Sequence, residues 1–218
     1  MSRRYELVVF DWDGTLMDST AAIASCIQAA AADLNLPVPD RERASHVIGL
    51  GLKDALSYAV PQLKEADYGL MTERYRYHFL TRGADVPLFE GTVEMLQGLR
   101  ERGHVLGIAT GKSTAGLERS LLATGIKPLF DATRCADRCS PKPAPDMLLE
   151  LMDELGIGRE STLMIGDTSR DLQMAAHAGV DALAVCHGAH AREVLLRCQP
   201  RACLADTAEL TEWLQQNA

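Results

Sequence analysis

The sequence FDWDGTLMDS, residues 10–19, follows directly on the apolar segment YELVVF (5–10), which has the pattern of a buried strand. Asp11 and Asp13 would therefore stand at the carboxyl end of that strand, with only Trp12 between them. Two carboxylates so close together repel each other. The stretch thus predicts a site in which something else offsets their charge.

Short apolar segments recur along the chain, and a helical pattern follows each of them. The strand candidates are 5–10, 104–110, a weaker one at 130–135, 162–167 and 182–186, with 202–206 as a short edge strand. The helix candidates between them are about 92–102, 113–124, 145–155, 170–178 and 207–216. Unbroken apolar strands that alternate with helices are typical of a parallel sheet covered on both faces. We therefore predict an α/β fold with a Rossmann-like parallel sheet flanked by helices.

One long segment interrupts this alternation, because residues 17–87 contain no strand candidate. An alanine-rich helix is predicted at about 19–34, and further helical patterns follow the turn PVPD (37–40). We predict a small all-helical cap domain inserted after the first strand, above the strand ends. The predicted domains are a core of residues 1–16 and 88–218 and a cap of residues 17–87, with GADVPLFEG (83–91) leading back to the core.

The composition excludes several classes of partner. The chain has 218 residues and a formal net charge of −8, which argues against binding to nucleic acid or to an anionic membrane. We find neither a signal-type apolar core nor an apolar run of the roughly 20 residues that span a bilayer. We expect a cytoplasmic protein that is a monomer or a homodimer. The six cysteines include no CxxC pair, so we expect no zinc site and interpret them as small buried hydrophobic residues.

Polar residues follow the ends of several predicted strands. They are Asp11 and Asp13 after the first strand, Thr110, Gly111 and Lys112 after the second, Lys142 in SPKPAPD (140–146), and Asp167 and Asp171 in GDTSRD (166–171). Open parallel sheets bind ligands at the carboxyl ends of their strands, so these residues should meet on one rim. Several carboxylates remain ionised together only around a cation, and hard oxygen ligands suit Mg²⁺. The chemistry indicated is phosphoryl transfer with an aspartate as nucleophile.

Four motifs, DWDGT (11–15), ATGK (109–112), SPKP (140–143) and GDTSRD (166–171), resemble in this order those of the haloacid dehalogenase-like hydrolase superfamily. The helical insertion resembles the alpha-helical cap of its phosphoglycolate phosphatase-like branch. The resemblance covers nearly the whole chain and implies a Mg²⁺-dependent phosphoric monoester hydrolase that acts through an aspartyl-phosphate. Dehalogenases of this kind lack the second aspartate of the first motif, because a halide leaving group needs no proton. Asp13 therefore argues against a dehalogenase.

The resemblance also implies roles for the acidic residues. Asp11 would be the nucleophile and a metal ligand. Asp13 would be the general acid and then the base, and its backbone carbonyl would also bind the metal. Asp167 would be the side-chain metal ligand. Asp171 would support the metal site without binding the metal directly, or would bind it through a water molecule. We interpret Trp12, which replaces the commoner aliphatic residue, as packing beneath the site or against the cap.

For the phosphate, the resemblance implies Thr110 and Lys142 as ligands, with Lys142 also neutralising Asp11. Gly111 belongs to the turn whose free backbone amides would hold phosphate oxygens. We interpret Lys112 as an ordinary surface lysine. The histidines are scattered; two of them, His187 and His190, lie near the end of the fifth strand, and we expect no role for them.

In the cap, Gly49, Gly51 and Lys53 are predicted to lie in a loop between helices that selects the substrate, as in similar caps; a plain helix-to-helix turn is the alternative. A sugar phosphomutase and an inorganic pyrophosphatase share the core motifs and remain open as alternatives. A receiver-like phospho-accepting switch is a rival from another class. The insertion of residues 17–87 argues against it, because receivers lack a cap.

Overall fold

In the computed structural model, which describes residues 4–82 and 86–218, six strands form one parallel sheet. The strands are β1 (Leu7–Phe10), β2 (Val105–Thr110), β3 (Ala132–Cys135), β4 (Thr162–Gly166), β5 (Asp181–Val185) and β6 (Ala202–Leu204). They are arranged in the order β3-β2-β1-β4-β5-β6. Each lies within two residues of its predicted bounds. The chain runs outward from β1 to β3 and then returns to β4, so the strand order reverses beside β1, where such sheets bind ligands.

Four helices between β1 and β2 form the inserted cap and confirm that part of the predicted fold. They are α1 (Thr20–Asp33), α2 (Arg41–His46), α3 (Leu52–Ala59) and α4 (Tyr68–Arg82). The cap has a hydrophobic core of its own, in which Ile27, Leu56 and Met71 are fully buried. It is thus held together by its own apolar side chains, and the long insertion gains stability without joining the sheet.

The chain enters and leaves the cap through two paired segments. Met17 and Leu88 form an antiparallel bridge. The Asp18 amide donates to the Pro87 carbonyl at 3.0 Å, and the Phe89 amide donates to the Leu16 carbonyl at 3.0 Å. The predicted cap boundaries, 16/17 and 87/88, fall at this crossing and stay a prediction. Residues 83–85 of the predicted return segment lie outside the described residues.

Six further helices cover the two faces of the sheet. They are α5 (Thr92–Glu101), α6 (Thr114–Thr124), α7 (Asp146–Leu155), α8 (Ser169–Ala178), α9 (Arg192–Leu196) and α10 (Thr207–Asn217). Successive strand residues point to opposite faces, so Phe10 packs with α5, α6 and α10, whereas Val9 packs with α7, α8 and α9. The α/β fold with a parallel sheet flanked by helices is confirmed. No helix within 4–82 and 86–218 is long and apolar enough to cross a membrane.

The interpretation of the cysteines as buried is right for only two of them. Cys26 and Cys135 are buried. The other four are half-buried: Cys139, Cys186, Cys198 and Cys203. Cys203 lies in the edge strand β6, and Cys186 and Cys198 follow the ends of β5 and α9, where fewer elements are available to cover them.

Candidate active site

The carboxyl ends of the three central strands bring the predicted site residues to one place. Asp11 follows β1 directly, Thr110 is the last residue of β2, and Asp167 follows β4. The Asp11 amide donates to the Ile165 carbonyl at 2.9 Å, which continues the pairing of β1 with β4 beyond the strand. All three side chains are buried. Because β2, β1 and β4 are neighbours in the sheet, the residues at their carboxyl ends lie side by side on one rim, as the sequence predicts.

Three carboxylates on this rim are close enough to hold one metal ion. Ligand oxygens of Asp11, Asp167 and Asp171 all lie within 4.8 Å of one another. This group differs from the predicted metal ligands Asp11, Asp13 and Asp167, because the Asp13 side chain is engaged elsewhere. The metal contact predicted for Asp13 is made by its backbone carbonyl. The position of the side chain does not test that contact.

The Asp11 carboxylate is the least satisfied polar group of the site. Both oxygens are buried, and neither makes a well-aligned hydrogen bond within the described part of the chain. The Lys142 ammonium lies 2.9 Å from Oδ1 as an ion pair. Burial raises the pKa of Asp11; Lys142 opposes this rise, and Asp171 adds to it. Buried carboxylate oxygens that make too few hydrogen bonds are costly in a folded protein, so this carboxylate fits a site that a metal ion and a reacting group complete.

Asp167 is held in a close-fitting cradle. Its Oδ1 accepts a hydrogen bond from Thr15 Oγ1 at 2.8 Å, and its Oδ2 accepts one from the Ala189 amide at 2.7 Å. A Cβ atom at Gly14 would lie 2.3 Å from Oδ2, and one at Gly188 would lie 2.2 Å from it, so both positions require glycine. Burial raises the pKa of Asp167 well above its usual range, and the charges of Asp11 and Asp171 raise it further.

Lys142 is fully buried between two carboxylates. Its Nζ lies 2.9 Å from Asp11 Oδ1 and donates to Asp171 Oδ1 at 2.5 Å. Burial favours the neutral amine, but the charges of Asp11 and Asp171 outweigh it and raise the pKa of Lys142. The other oxygen of Asp171 accepts hydrogen bonds from the amide and hydroxyl of Thr168, at 3.0 and 2.6 Å, at the start of α8. Asp171 therefore both caps the helix and holds Lys142 against Asp11.

Asp13 is turned towards the cap side of the rim, where it meets a lysine. Lys112 Nζ donates to both Asp13 oxygens, at 2.8 and 2.9 Å, and Ser19 Oγ donates to Oδ1 at 2.7 Å. The interpretation of Lys112 as an ordinary surface lysine is therefore wrong. The turn at Gly111 carries the Lys112 side chain back across the rim, where only 11% of it remains exposed.

A cavity of about 700 Å³ opens above these residues, between the cap and the core. Asp11, Asp13, Thr110 and Gly111 form part of its lining. The cap residues predicted to select the substrate line it too: Gly49, Gly51 and Lys53. The predicted loop is nevertheless shorter than expected, because α3 begins at Leu52, so Lys53 lies in the first turn of a helix rather than in the loop.

The residues between α2 and α3 (47–51, the cap loop) rest on the core through their main chain, together with the last residue of α2. A Cβ atom at Gly111 would lie 2.6 Å from the Leu50 carbonyl oxygen and 2.7 Å from that of Gly49. Arg170 Nη1, at the start of α8, donates to the carbonyl of His46 at 2.8 Å and to that of Ile48 at 3.3 Å. Glycine at position 111 therefore permits a close approach that any larger residue would block.

We predict that Gly111→Ala impairs activity without unfolding the protein. The added methyl group collides with main-chain oxygens of the cap loop, so the cap cannot close fully over the rim. A displacement of about 1 Å at a reacting centre can cost about 100-fold in rate, and we expect a loss of kcat/KM of that order. Steady-state kinetics with thermal melting measures both effects.

The matched control is Gly69→Ala in α4, where a Cβ atom meets no neighbour within 4 Å. This variant should keep its kcat/KM. Equal kinetics for the two variants would contradict the close approach of the cap loop to Gly111.

Three remaining residues lie behind the site. Trp12 is fully buried in the cluster beneath α5, α6 and α10, and its Nε1 donates to Met17 Sδ at 3.3 Å, which confirms that it packs beneath the site. His187 Nε2 lies 3.2 Å from the Thr15 carbonyl oxygen. The His190 ring stacks on that of His46, with the ring centres 4.8 Å apart. The two histidines thus reach the back of the rim and the end of α2 in the cap.

Comparisons with known proteins agree with this arrangement. The family model described as haloacid dehalogenase-like hydrolase matches residues 8–185. The chain is 35% identical, over 94% of its length and 91% of the relative, to a protein of Dickeya dadantii named probable phosphatase IndB. It is 29% identical, over 96% of its length and 98% of the relative, to a phosphoglycolate phosphatase of Haemophilus influenzae.

A solved structure gives the same result for the fold. The crystal structure of a predicted phosphoglycolate phosphatase from Haemophilus somnus 129pt superposes with a TM-score of 0.86 at 25% identity. The superposition covers 97% of the present chain and 99% of the chain from Haemophilus somnus. Together with the ordered motifs and the capped parallel sheet, these matches establish that the chain belongs to the haloacid dehalogenase-like hydrolase family.

Proposed function

We propose that the protein is a Mg²⁺-dependent phosphatase that hydrolyses a small phosphorylated metabolite through a phosphorylated Asp11. The observation that carries this proposal is the Asp11 carboxylate. Its oxygens are buried and make no well-aligned hydrogen bond among the described residues. Asp11 lines the cavity, and Lys142 and Asp167 lie next to it. Relatives along the whole chain are named as phosphatases, which supports the same class of reaction.

In this mechanism Asp11 attacks the phosphorus atom and the bond from phosphorus to the alcohol oxygen breaks. Asp13 gives its proton to the departing alcohol. Asp13 then takes a proton from a water molecule, whose oxygen attacks the phosphorus of the acyl phosphate. Inorganic phosphate leaves with the new oxygen, and the Asp11 carboxylate is restored. Lys112 and Ser19 hold Asp13 in position for both proton transfers.

The remaining residues hold the phosphate and the cation. Thr110 and the turn at Gly111 would bind phosphate oxygens, and Lys142 would keep Asp11 ionised against the effect of burial. Asp11 and Asp167, with the Asp13 backbone carbonyl, would hold Mg²⁺, while Asp171 secures Lys142. Bound there, Mg²⁺ offsets the repulsion between the carboxylate and the phosphate. The buried carboxylates of Asp11 and Asp167, which lie within 4.8 Å of each other, are the feature that fits this ion.

The test is release of inorganic phosphate from a panel of phosphorylated metabolites, with Mg²⁺ or with EDTA. Phosphoglycolate is the first substrate to try, because relatives carry that name, although a fold does not fix a substrate. Glucose 1-phosphate distinguishes a phosphomutase, which would yield glucose 6-phosphate rather than free phosphate. Pyrophosphate tests the pyrophosphatase. A stable phosphoprotein without turnover would favour the receiver-like switch and contradict the phosphatase.

We also predict that Mg²⁺ stabilises the protein. Lys142 is one positive charge among the three carboxylates of Asp11, Asp167 and Asp171, so a metal ion can offset the repulsion that remains. A ligand that binds only the folded state adds to its stability. At about 100 times its Kd, Mg²⁺ should raise the melting temperature by roughly 5–10 °C relative to EDTA. Asp167→Asn, which removes a ligand, should show a much smaller rise. An unchanged melting temperature in Mg²⁺ would count against the metal site.

A further inference from the structure

We infer that the alcohol part of the substrate is a ring-bearing, largely apolar group and not a short charged acid such as glycolate. This inference rests on the proposed phosphatase function and narrows its substrate class. Three features of the cavity between cap and core carry it: its size, the chemistry of its cap-side wall and the position of its charged residues.

The size of the cavity exceeds what a two-carbon phosphorylated acid needs. Its volume is about 700 Å³, and cavities of about 300–1,000 Å³ bury most of the surface of a drug-sized ligand. The phosphate end occupies the floor at Asp11, Thr110 and Gly111. With glycolate attached, most of the space beneath the cap would contain no substrate atoms. A substrate that fills it extends well beyond the phosphate.

The wall that faces this space is apolar. Ile23 and Ile27 from α1 and Val47 and Ile48 from the cap loop line it, and all four are buried hydrophobic residues. Removing apolar surface of the substrate from water against such a wall is favourable, whereas a carboxylate placed there would lose its hydration without compensation.

Two aromatic rings of α4 add a flat surface to this wall. Tyr75 and Phe79 lie one helical turn apart, with ring centres 6.0 Å apart and planes inclined by 26°. Burial raises the pKa of the Tyr75 hydroxyl, as expected in a poorly hydrated place. The Lys112 ammonium lies 5.0 Å from the centre of the Phe79 ring and covers part of it. A ring of the substrate that contacts the part of this pair left uncovered would gain aromatic contact in addition to apolar burial.

The charged residues of the lining that lie away from the rim are exposed and of mixed sign. Lys112 is paired with Asp13, and the other cations that line the cavity in the described ranges are exposed: Lys53, Arg76 and Arg119. Two exposed acids, Asp54 and Asp137, line it as well. A substrate carboxylate would therefore find exposed cations mixed with exposed acids and an apolar interior. Glycolate phosphate fits this pattern poorly.

The experiment compares phosphates of three primary alcohols, so that the leaving groups are closely matched: ethyl phosphate, phosphoglycolate and 2-phenylethyl phosphate. Fully burying a phenyl-sized group corresponds to about 10- to 100-fold in affinity. We expect kcat/KM for 2-phenylethyl phosphate to exceed that for ethyl phosphate by about this factor, with phosphoglycolate no better than ethyl phosphate.

A pair of variants connects this preference to the wall. Phe79→Ser removes a ring that lines the cavity, and the ratio of kcat/KM between 2-phenylethyl and ethyl phosphate should fall about tenfold. Leu122→Ser makes a similar apolar-to-polar change at a side chain that is 80% exposed and absent from the lining, and the ratio should stay the same.

The outcomes separate this inference from the proposed function. Phosphate release with phosphoglycolate as the best of the three substrates would overturn the inference and leave the phosphatase standing. Release from none of the three, nor from the metabolite panel, would overturn the phosphatase. In that case calorimetry with Asp11→Asn decides: 2-phenylethyl phosphate binding more tightly than ethyl phosphate supports the inference, and equal binding overturns it.

Discussion

Replacing Asp11 by asparagine is expected to lower kcat by at least about 10⁴-fold, as observed when a covalent nucleophile is removed from other enzymes. Asparagine keeps the shape of the side chain but presents an amide, which does not attack phosphorus. Lys142 and Asp167 remain in place around it. Phosphate release under saturating substrate measures the loss, and rapid acid quenching with a radiolabelled substrate should show labelled protein only with Asp11.

The same variant should not be less stable than the wild type in EDTA. It removes one of three buried carboxylates that crowd around one lysine, and Lys142 keeps its pair with Asp171, so the melting temperature in EDTA should be equal or higher. Asp18→Asn is the matched control, because Asp18 lies in the same segment and is exposed. It should keep its activity. An Asp11→Asn protein with wild-type kcat would contradict the assignment of the nucleophile.

Lys142→Met is expected to affect both activity and stability. The substitution leaves Asp11 and Asp171 buried without their shared cation, and breaking a buried ion pair in this way costs about 3–5 kcal/mol. The pKa of Asp11 would rise further, so less of the nucleophile would be ionised at neutral pH. Urea unfolding in EDTA measures the free energy of unfolding, and phosphate release measures the activity.

The control for this prediction is Lys127→Met, which removes the partner of Glu118 in a surface pair with an N–O distance of 2.6 Å. Both side chains of that pair are about half exposed, and such pairs contribute at most about 1 kcal/mol. The two lysines thus differ in burial, and Lys142 also has two carboxylate partners where Lys127 has one. Similar losses of stability for both variants would show that the burial of Lys142 has little energetic weight.

The sequence predicts most of the fold because the strands are unbroken apolar segments separated by helices with distinct patterns. β1 and β4 are recognisable in this way, and both end in acidic residues that mark the rim. The short helix α9 was missed, since its five residues are too few to show a helical repeat. Lys53 is predicted to lie in a loop with Gly49 and Gly51, whereas α3 begins at Leu52, so the loop that forms is shorter.

The site was predicted less completely, for a different reason. Asp11, Asp167 and Lys142 are unusual residue types for a buried rim and belong to recognisable motifs, so they could be found. Thr15 and Ser19 are ordinary polar residues whose partners lie on other elements or in another turn. Thr15 ends the motif DWDGT, and this position was the available signal. The pairing of Lys112 with Asp13 depends on how one side chain turns over the rim, which no spacing along the chain records.

The way in which the cap loop meets Gly111 and Arg170 bears on how substrate preference can diversify. Carbonyl oxygens of the main chain make these contacts, and every amino acid supplies the same oxygen. Side chains of α1 and α4 that line the cavity can therefore be exchanged without altering the contact between the cap main chain and the core. Libraries that randomise Ile23 and Phe79, and keep the fully buried Ile27, should yield enzymes with new preferences that share one contact between cap and core.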